Sequence, residues 1–247
     1  MSDVLLYLWG NKRSYLLQEL DFYLTQADRR VLIQFGNLEE EAEQFARDKF
    51  DRMGQSAGPD ADPGDYADAA WSEGINHYQM LSDLHGQMLL SVAAGLYHQW
   101  EKQLREWLVS ELDHSFSREN VGPAIWKQKI EDLYDLLKGL GWDVRAHPFF
   151  AAIEECRLVV NVSKHGGGPS FDLLKAQFGQ HLGETRPGMP VDSLDYRDHT
   201  DLKITREDLG RFQQALKDFW LAMPEHTLWS DAQTVPKWFE KALKKNR

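Results

Sequence analysis

Arg157-Leu-Val-Val-Asn-Val-Ser-Lys-His-Gly-Gly-Gly168 reads either as a strand running into a glycine loop or as the last turns of a helix. The choice sets the fold class. A strand would put Arg157, Val159, Asn161, Ser163 and His165 on one side and Leu158, Val160, Val162 and Lys164 on the other, a poor apolar/polar alternation. A helix separates them better. At about 100° per residue, Glu154, Arg157, Asn161, Lys164 and His165 fall within an arc of about 100°, and Phe149, Cys156, Leu158, Val159, Val160 and Val162 fill most of the rest. Pro148 suits the start of such a helix and Gly166 the residue just past its end. The reading is a helix from Pro148 to His165.

The strand reading has two matching motifs. His165-Gly-Gly-Gly168 has the pattern of an esterase oxyanion loop, and Gly54-Gln-Ser-Ala-Gly58 that of a nucleophile elbow. Their context argues against a serine hydrolase. No buried strand precedes Ser56, a Pro/Asp/Gly-rich stretch follows it, and the two motifs occur in the wrong order along the chain.

Working outward, Trp71 to Leu112 carries apolar residues at three- or four-residue steps and reads as one long amphipathic helix. Its histidines, with Glu73 beside His77, lack the paired spacing of a metal-binding helix. Upstream, Lys12 to Phe35 and Leu38 to Met53 read as helices, and Gly54 to Asp65 reads as a linker or mobile loop. Downstream come a helix over Ala124 to Leu140, a short segment over Phe171 to Phe178 that leads into an irregular stretch from Gly183 to Thr200, and helices over Arg206 to Met223 and Lys237 to Lys244. The helix from Arg206 is capped by Thr205, with Asp208 three residues on. Strand signals are confined to Leu202-Lys-Ile-Thr205 and Val159-Val-Asn-Val162. The expected fold is mainly α: a bundle of about five to seven helices with irregular C-terminal loops. The expected organisation is an acidic helical segment over residues 1–55, a linker over 56–70, a helical core over 71–169 and a C-terminal helical extension over 170–247.

The 247 residues carry a net charge of −11, unevenly spread. Residues 1–70 hold 14 acidic and 7 basic side chains, whereas acids and bases balance from residue 114 onward. A protein that coats nucleic acid is therefore not expected, but a local cationic site in the second half is compatible with this distribution, as is a protein partner for the acidic first half. One cysteine, Cys156, excludes an internal disulfide and a multi-thiolate metal site, and its apolar neighbours argue against a nucleophile. No apolar run is long enough to span a membrane, and the first residues lack a signal-peptide pattern, so a cytoplasmic location is expected. No cofactor is indicated.

The polar face of the Pro148–His165 helix has an ordinary explanation as a solvated surface. Lys164 and His165 would then meet the negative helix end, and Glu154 would pair with Arg157. It also has the groups needed to cleave RNA without a metal. His165 can act as acid or base, Arg157 and Lys164 can stabilise charge on a phosphate, and Asn161 can orient the histidine one turn away.

A long helix carrying Tyr97-His-Gln-Trp-Glu101, then a helix with Asn161, three residues, His165 and Gly, resembles the HEPN superfamily of α-helical domains. The superfamily is found in many prokaryotic toxins and antiviral nucleases. The resemblance covers residues 71–169. It implies RNA as the partner, metal-independent endoribonuclease activity of a toxin–antitoxin or antiviral-defence type, and a composite site across a homodimer or a pseudo-dimer. Asn161 and His165 match the superfamily's polar residue and histidine, while Val160 stands where its arginine is expected. Either Arg157, one turn earlier, substitutes for it, or the domain is a non-cleaving relative. The rival expectation is a non-catalytic helical regulatory subunit that binds protein.

Overall fold

The computed structural model describes residues 4–56, 58, 62–183, 196–228 and 234–244. Among these are α1 (Gly10–Arg30), α2 (Leu38–Gln55), α3 (Pro63–Leu112), α4 (Arg118–Trp126), α5 (Ile130–Gly139), α6 (Phe150–His165), α7 (Pro169–Gln177), α8 (Arg206–Ala222) and α9 (Lys237–Lys244). Two short strands, β1 (Val4–Tyr7) and β2 (His226–Leu228), pair antiparallel with an irregularity between Val4 and Leu6. The class is mainly α, with nine α-helices among the described residues in place of the five to seven expected. Among the described residues no helix is long and apolar enough to cross a membrane.

Helix ends account for most differences from the sequence reading. The helix expected over Ala124–Leu140 is two: α4 runs through Pro123, and α5 restarts after Lys129, whose backbone N–H donates to the Asp132 carboxylate at 3.1 Å. At α3, the side chain of Asp62 accepts from the Gly64 backbone at 2.8 Å and Pro63 takes the first helical position. The same Pro and Asp that read as linker residues thus start a helix. At the other end of that linker Gly54 and Gln55 belong to α2; its residue 57 and residues 59–61 lie outside the described residues, as do residues 184–195 of the stretch expected to be irregular. Neither tetrapeptide with strand signal is a strand. Val159–Val162 lies within α6, and Leu202–Thr205 is irregular chain ahead of α8. The α8 cap matches its expectation, with Asp208 N–H donating to Thr205 Oγ1 at 3.2 Å and Thr205 N–H to the Asp208 carboxylate at 2.9 Å.

The chain divides into two compact units, Met1–Leu24 with Ala93–Arg247, and Thr25–Val92. In the first, the C-terminal part of α3 is the centre of the core. Trp100 meets Phe219 of α8 edge to face at 5.1 Å, and Trp107 meets Trp220 at 5.9 Å. Such aromatic pairs add to the gain from burial itself. Buried Gln103 ties three helices together. Its amide donates to the Leu16 carbonyl of α1 at 3.1 Å, and its oxygen accepts from Trp220 Nε1 at 3.1 Å. Against this core α6 packs on α7 and α8, and α4 packs on α9. In the second unit α2 and α3 pack closely at small residues: a Cβ on Gly74 would lie 2.8 Å from that of Ala46.

Candidate functional site

Helix α6 buries Ile153, Cys156, Leu158, Val159, Val160 and Val162, as its apolar arc requires. Val160, at the position where the resemblance calls for arginine, lies in the core. Cys156 is fully buried, and burial pushes its thiol well above the ordinary range.

Of the four residues singled out from the sequence, two stand in solvent. Lys164 and His165 are exposed in the last turn, and no hydrogen bond or ion pair engages the side chain of either among the described residues; Asn161 is half-buried one turn earlier. Arg157 is engaged differently. Its Nε donates to the Glu154 carboxylate at 2.9 Å, its terminal nitrogens bind Glu154 and Glu131, the latter at 2.9 Å, and its side chain is 12% exposed. The hydrogen bonds to Glu154, reinforced by the charges of Glu154 and Glu131, hold the guanidinium protonated above its ordinary range. Arg157 thus links α6 to α5, and it would reach a phosphate only by leaving two carboxylates.

Past His165 the chain turns at Gly166, whose φ of +72° is the region that favours glycine. This residue leaves room for a second histidine. A Cβ on Gly166 would stand 3.2 Å from Cδ2 and 3.3 Å from Nε2 of His199. His199 is exposed on the segment before α8, so its imidazole lies against the glycine turn that directly follows Lys164 and His165 in the chain. The N-terminus of α7, two residues further, adds the positive end of a helix dipole. Sequence reasoning did not find His199. It lies 34 residues from His165, in a stretch without periodicity.

A second cluster lies on the buried side of α6. Glu155, 3% exposed, accepts from His181 Nε2 at 2.6 Å, Gln180 Nε2 at 3.0 Å and both terminal nitrogens of Arg211, one of them at 2.8 Å. Arg211 also binds the Asp208 carboxylate at 2.7 Å. His181 Nδ1 lies 3.1 Å from the Lys203 carbonyl oxygen, so both ring nitrogens face acceptors, and a ring carrying both protons donates to each. Burial pushes the Glu155 carboxyl up, but hydrogen bonds from Arg211 and His181 and their charges outweigh it and hold the group at about 2.

Ligand atoms of Glu155, His181 and Asp208 all lie within 4.8 Å of one another, a spacing open to a metal ion. Arg211 bridges the two carboxylates, so a guanidinium already supplies the positive charge that a metal would bring. The arrangement fits a charge network that fastens α6 to α8. A signal for it was present in the sequence, because Glu155 lies beside Cys156 on the apolar side of α6 and a buried carboxylate needs cationic partners.

No family model matches this chain, and no curated protein or solved structure matches it.

Proposed function

We propose that this chain is a HEPN-like RNA-binding protein whose phosphodiester site is the solvent-facing end of α6, competent for metal-independent cleavage. The observation that carries the reading is the imidazole of His199 against the Gly166 turn, one residue past the exposed His165 and two past Lys164. Cleavage at a 2′-hydroxyl needs a base and an acid at one site. One imidazole takes the 2′-hydroxyl proton, the oxygen attacks the adjacent phosphorus, and the other imidazole protonates the departing 5′-oxygen. The product is a 2′,3′-cyclic phosphate, with no metal in the balance. Lys164 stabilises charge on the phosphate and Asn161 restrains the His165 side of the site. Arg157 acts in this reading through position, by holding α6 on α5. The net charge of the whole chain does not oppose a site this small, since acids and bases balance from residue 114 onward.

The test is RNA incubated in EDTA with the full chain and with its His165→Ala and His199→Ala variants. Cleavage that falls about 100-fold or more in each variant is the expected result. Intact RNA in all three samples overturns cleavage. If filter binding also shows no affinity of the unaltered chain for single-stranded RNA, or equal affinity after Lys164→Glu, the RNA reading falls with it. Sedimentation of the same samples checks the homodimer that the resemblance implies.

A further inference from the structure

The Thr25–Val92 unit leaves large apolar side chains in solvent along one helix face. Trp71 is 65% exposed and Ile75 54%, and with Tyr78 they stand at i, i+4 and i+7 of α3. Beside them α2 approaches closely because the contact is made by Ala42, Ala46 and Gly74. Small residues form the floor and large ones the wall, which leaves a groove of about 320 Å3, room for one or two large side chains. Its polar lining is acidic: Glu39 and Glu43 of α2 border it. Residues 25–92 hold 13 acidic and 5 basic side chains, so the surrounding field has the same sign.

We propose that this groove docks an amphipathic helix of another protein, whose apolar anchors are flanked by lysine or arginine. Apolar positions at i, i+4 and i+7 offer two helical turns of contact, which is the register of a helix laid in a groove. The basic flanks follow from charge. A cation beside each anchor meets Glu39 and Glu43, and an acidic partner would place like charges together. The same argument disfavours a second copy of this chain, since a twofold contact through this face would bring Glu39 and Glu43 against their own equivalents. The proposal is independent of the RNA reading, as Trp71 and Ile75 lie in the unit that does not contain α6.

The experiment uses the full chain and three fluorescent synthetic helical peptides, followed by anisotropy. The first carries leucines at i, i+4 and i+7 flanked by lysines. In the second, glutamates replace the lysines; in the third, serines replace the leucines. Binding of the first alone is expected, weakened about tenfold by Trp71→Ala, by Ile75→Ser and by the paired change Glu39→Gln with Glu43→Gln, and weakened again by salt. All four positions are exposed, and far-ultraviolet circular dichroism is expected to match that of the unaltered chain. Equal binding of the serine peptide reduces the contact to charge and overturns the groove. Equal binding of the glutamate peptide overturns the basic partner, and absence of binding overturns both. If the chain is dimeric and Trp71→Ala makes it monomeric, the occupant is a second copy and the proposal falls.

Discussion

The two ends of α3 carry the same kind of sequence and have opposite surroundings. From Leu89 to Leu112 the apolar positions are buried, with Leu96, Trp100, Leu104 and Leu112 fully so. From Trp71 to Leu84 the same periodicity continues, yet Trp71, Ile75, Tyr78 and Leu84 are exposed. Periodicity reports that a helix has an apolar face. It does not report whether the chain itself supplies the cover. In the Leu89–Leu112 part the cover includes α8, more than 100 residues away, through contacts such as Trp100 on Phe219. In the Trp71–Leu84 part α2 brings Ala42 and Ala46 against Gly74 and stacks Phe45 on His77, and Trp71 and Ile75 are left exposed.

The comparison breaks most directly at its two tryptophans. Trp100→Ala empties a fully buried site among aromatic neighbours and is expected to cost about 3–5 kcal/mol in urea unfolding. Trp71→Ala is expected to stay within about 0.5 kcal/mol. Equal costs would mean that Trp71 is covered in solution.

Buried and exposed charge give the next contrast. Glu155→Gln removes the charge from a carboxylate that three partners hold, at an expected cost of about 3 kcal/mol. Glu43→Gln breaks only the exposed pair with Arg47 and is expected to cost less than about 0.5 kcal/mol. The pH dependence has a definite sign. The Glu155 carboxyl is held at about 2 in the folded chain, against 4.5 ordinarily. Its contribution is therefore complete above about 4.5 and is lost as pH falls through about 2. Stability followed over that window is expected to fall less steeply in Glu155→Gln than in the unaltered chain, and an unchanged slope would remove Glu155 from the acid response.

The smallest effect sharpens the picture of the core itself. Tyr134 is buried, and its hydroxyl has no hydrogen-bond partner among the described residues. Tyr134→Phe is expected to leave stability unchanged or raise it by up to about 1 kcal/mol, and a clear loss would point to a bound water.

Parts of the candidate site were legible for different reasons. Asn161, Lys164 and His165 follow from one helix and its ending glycine, so local periodicity sufficed to place them on the polar side of α6. The engagement of Arg157 was only half legible. Glu154 is its neighbour at three residues' spacing, but Glu131 reaches it from α5. His181, His199 and Arg211 stand 26 or more residues along the chain from Glu155 or Gly166, the residues they meet, where no spacing rule connects them. The helix ends were misread where one residue type serves two purposes. Pro63 and Asp62 punctuate a loop as well as they open a helix, and only the accepted hydrogen bond from Gly64 distinguishes the cases.

The sequence by itself determined the helical class, the apolar face of each long helix, the cap at Thr205 and the polar turn at the end of α6, because these depend on residues within a few positions of one another. The tertiary structure alone decided which apolar faces are covered, which cation Arg157 became and which second histidine stands at Gly166. Those outcomes depend on contacts between distant segments, where burial and charge pairing are settled by what the rest of the chain brings to the same place.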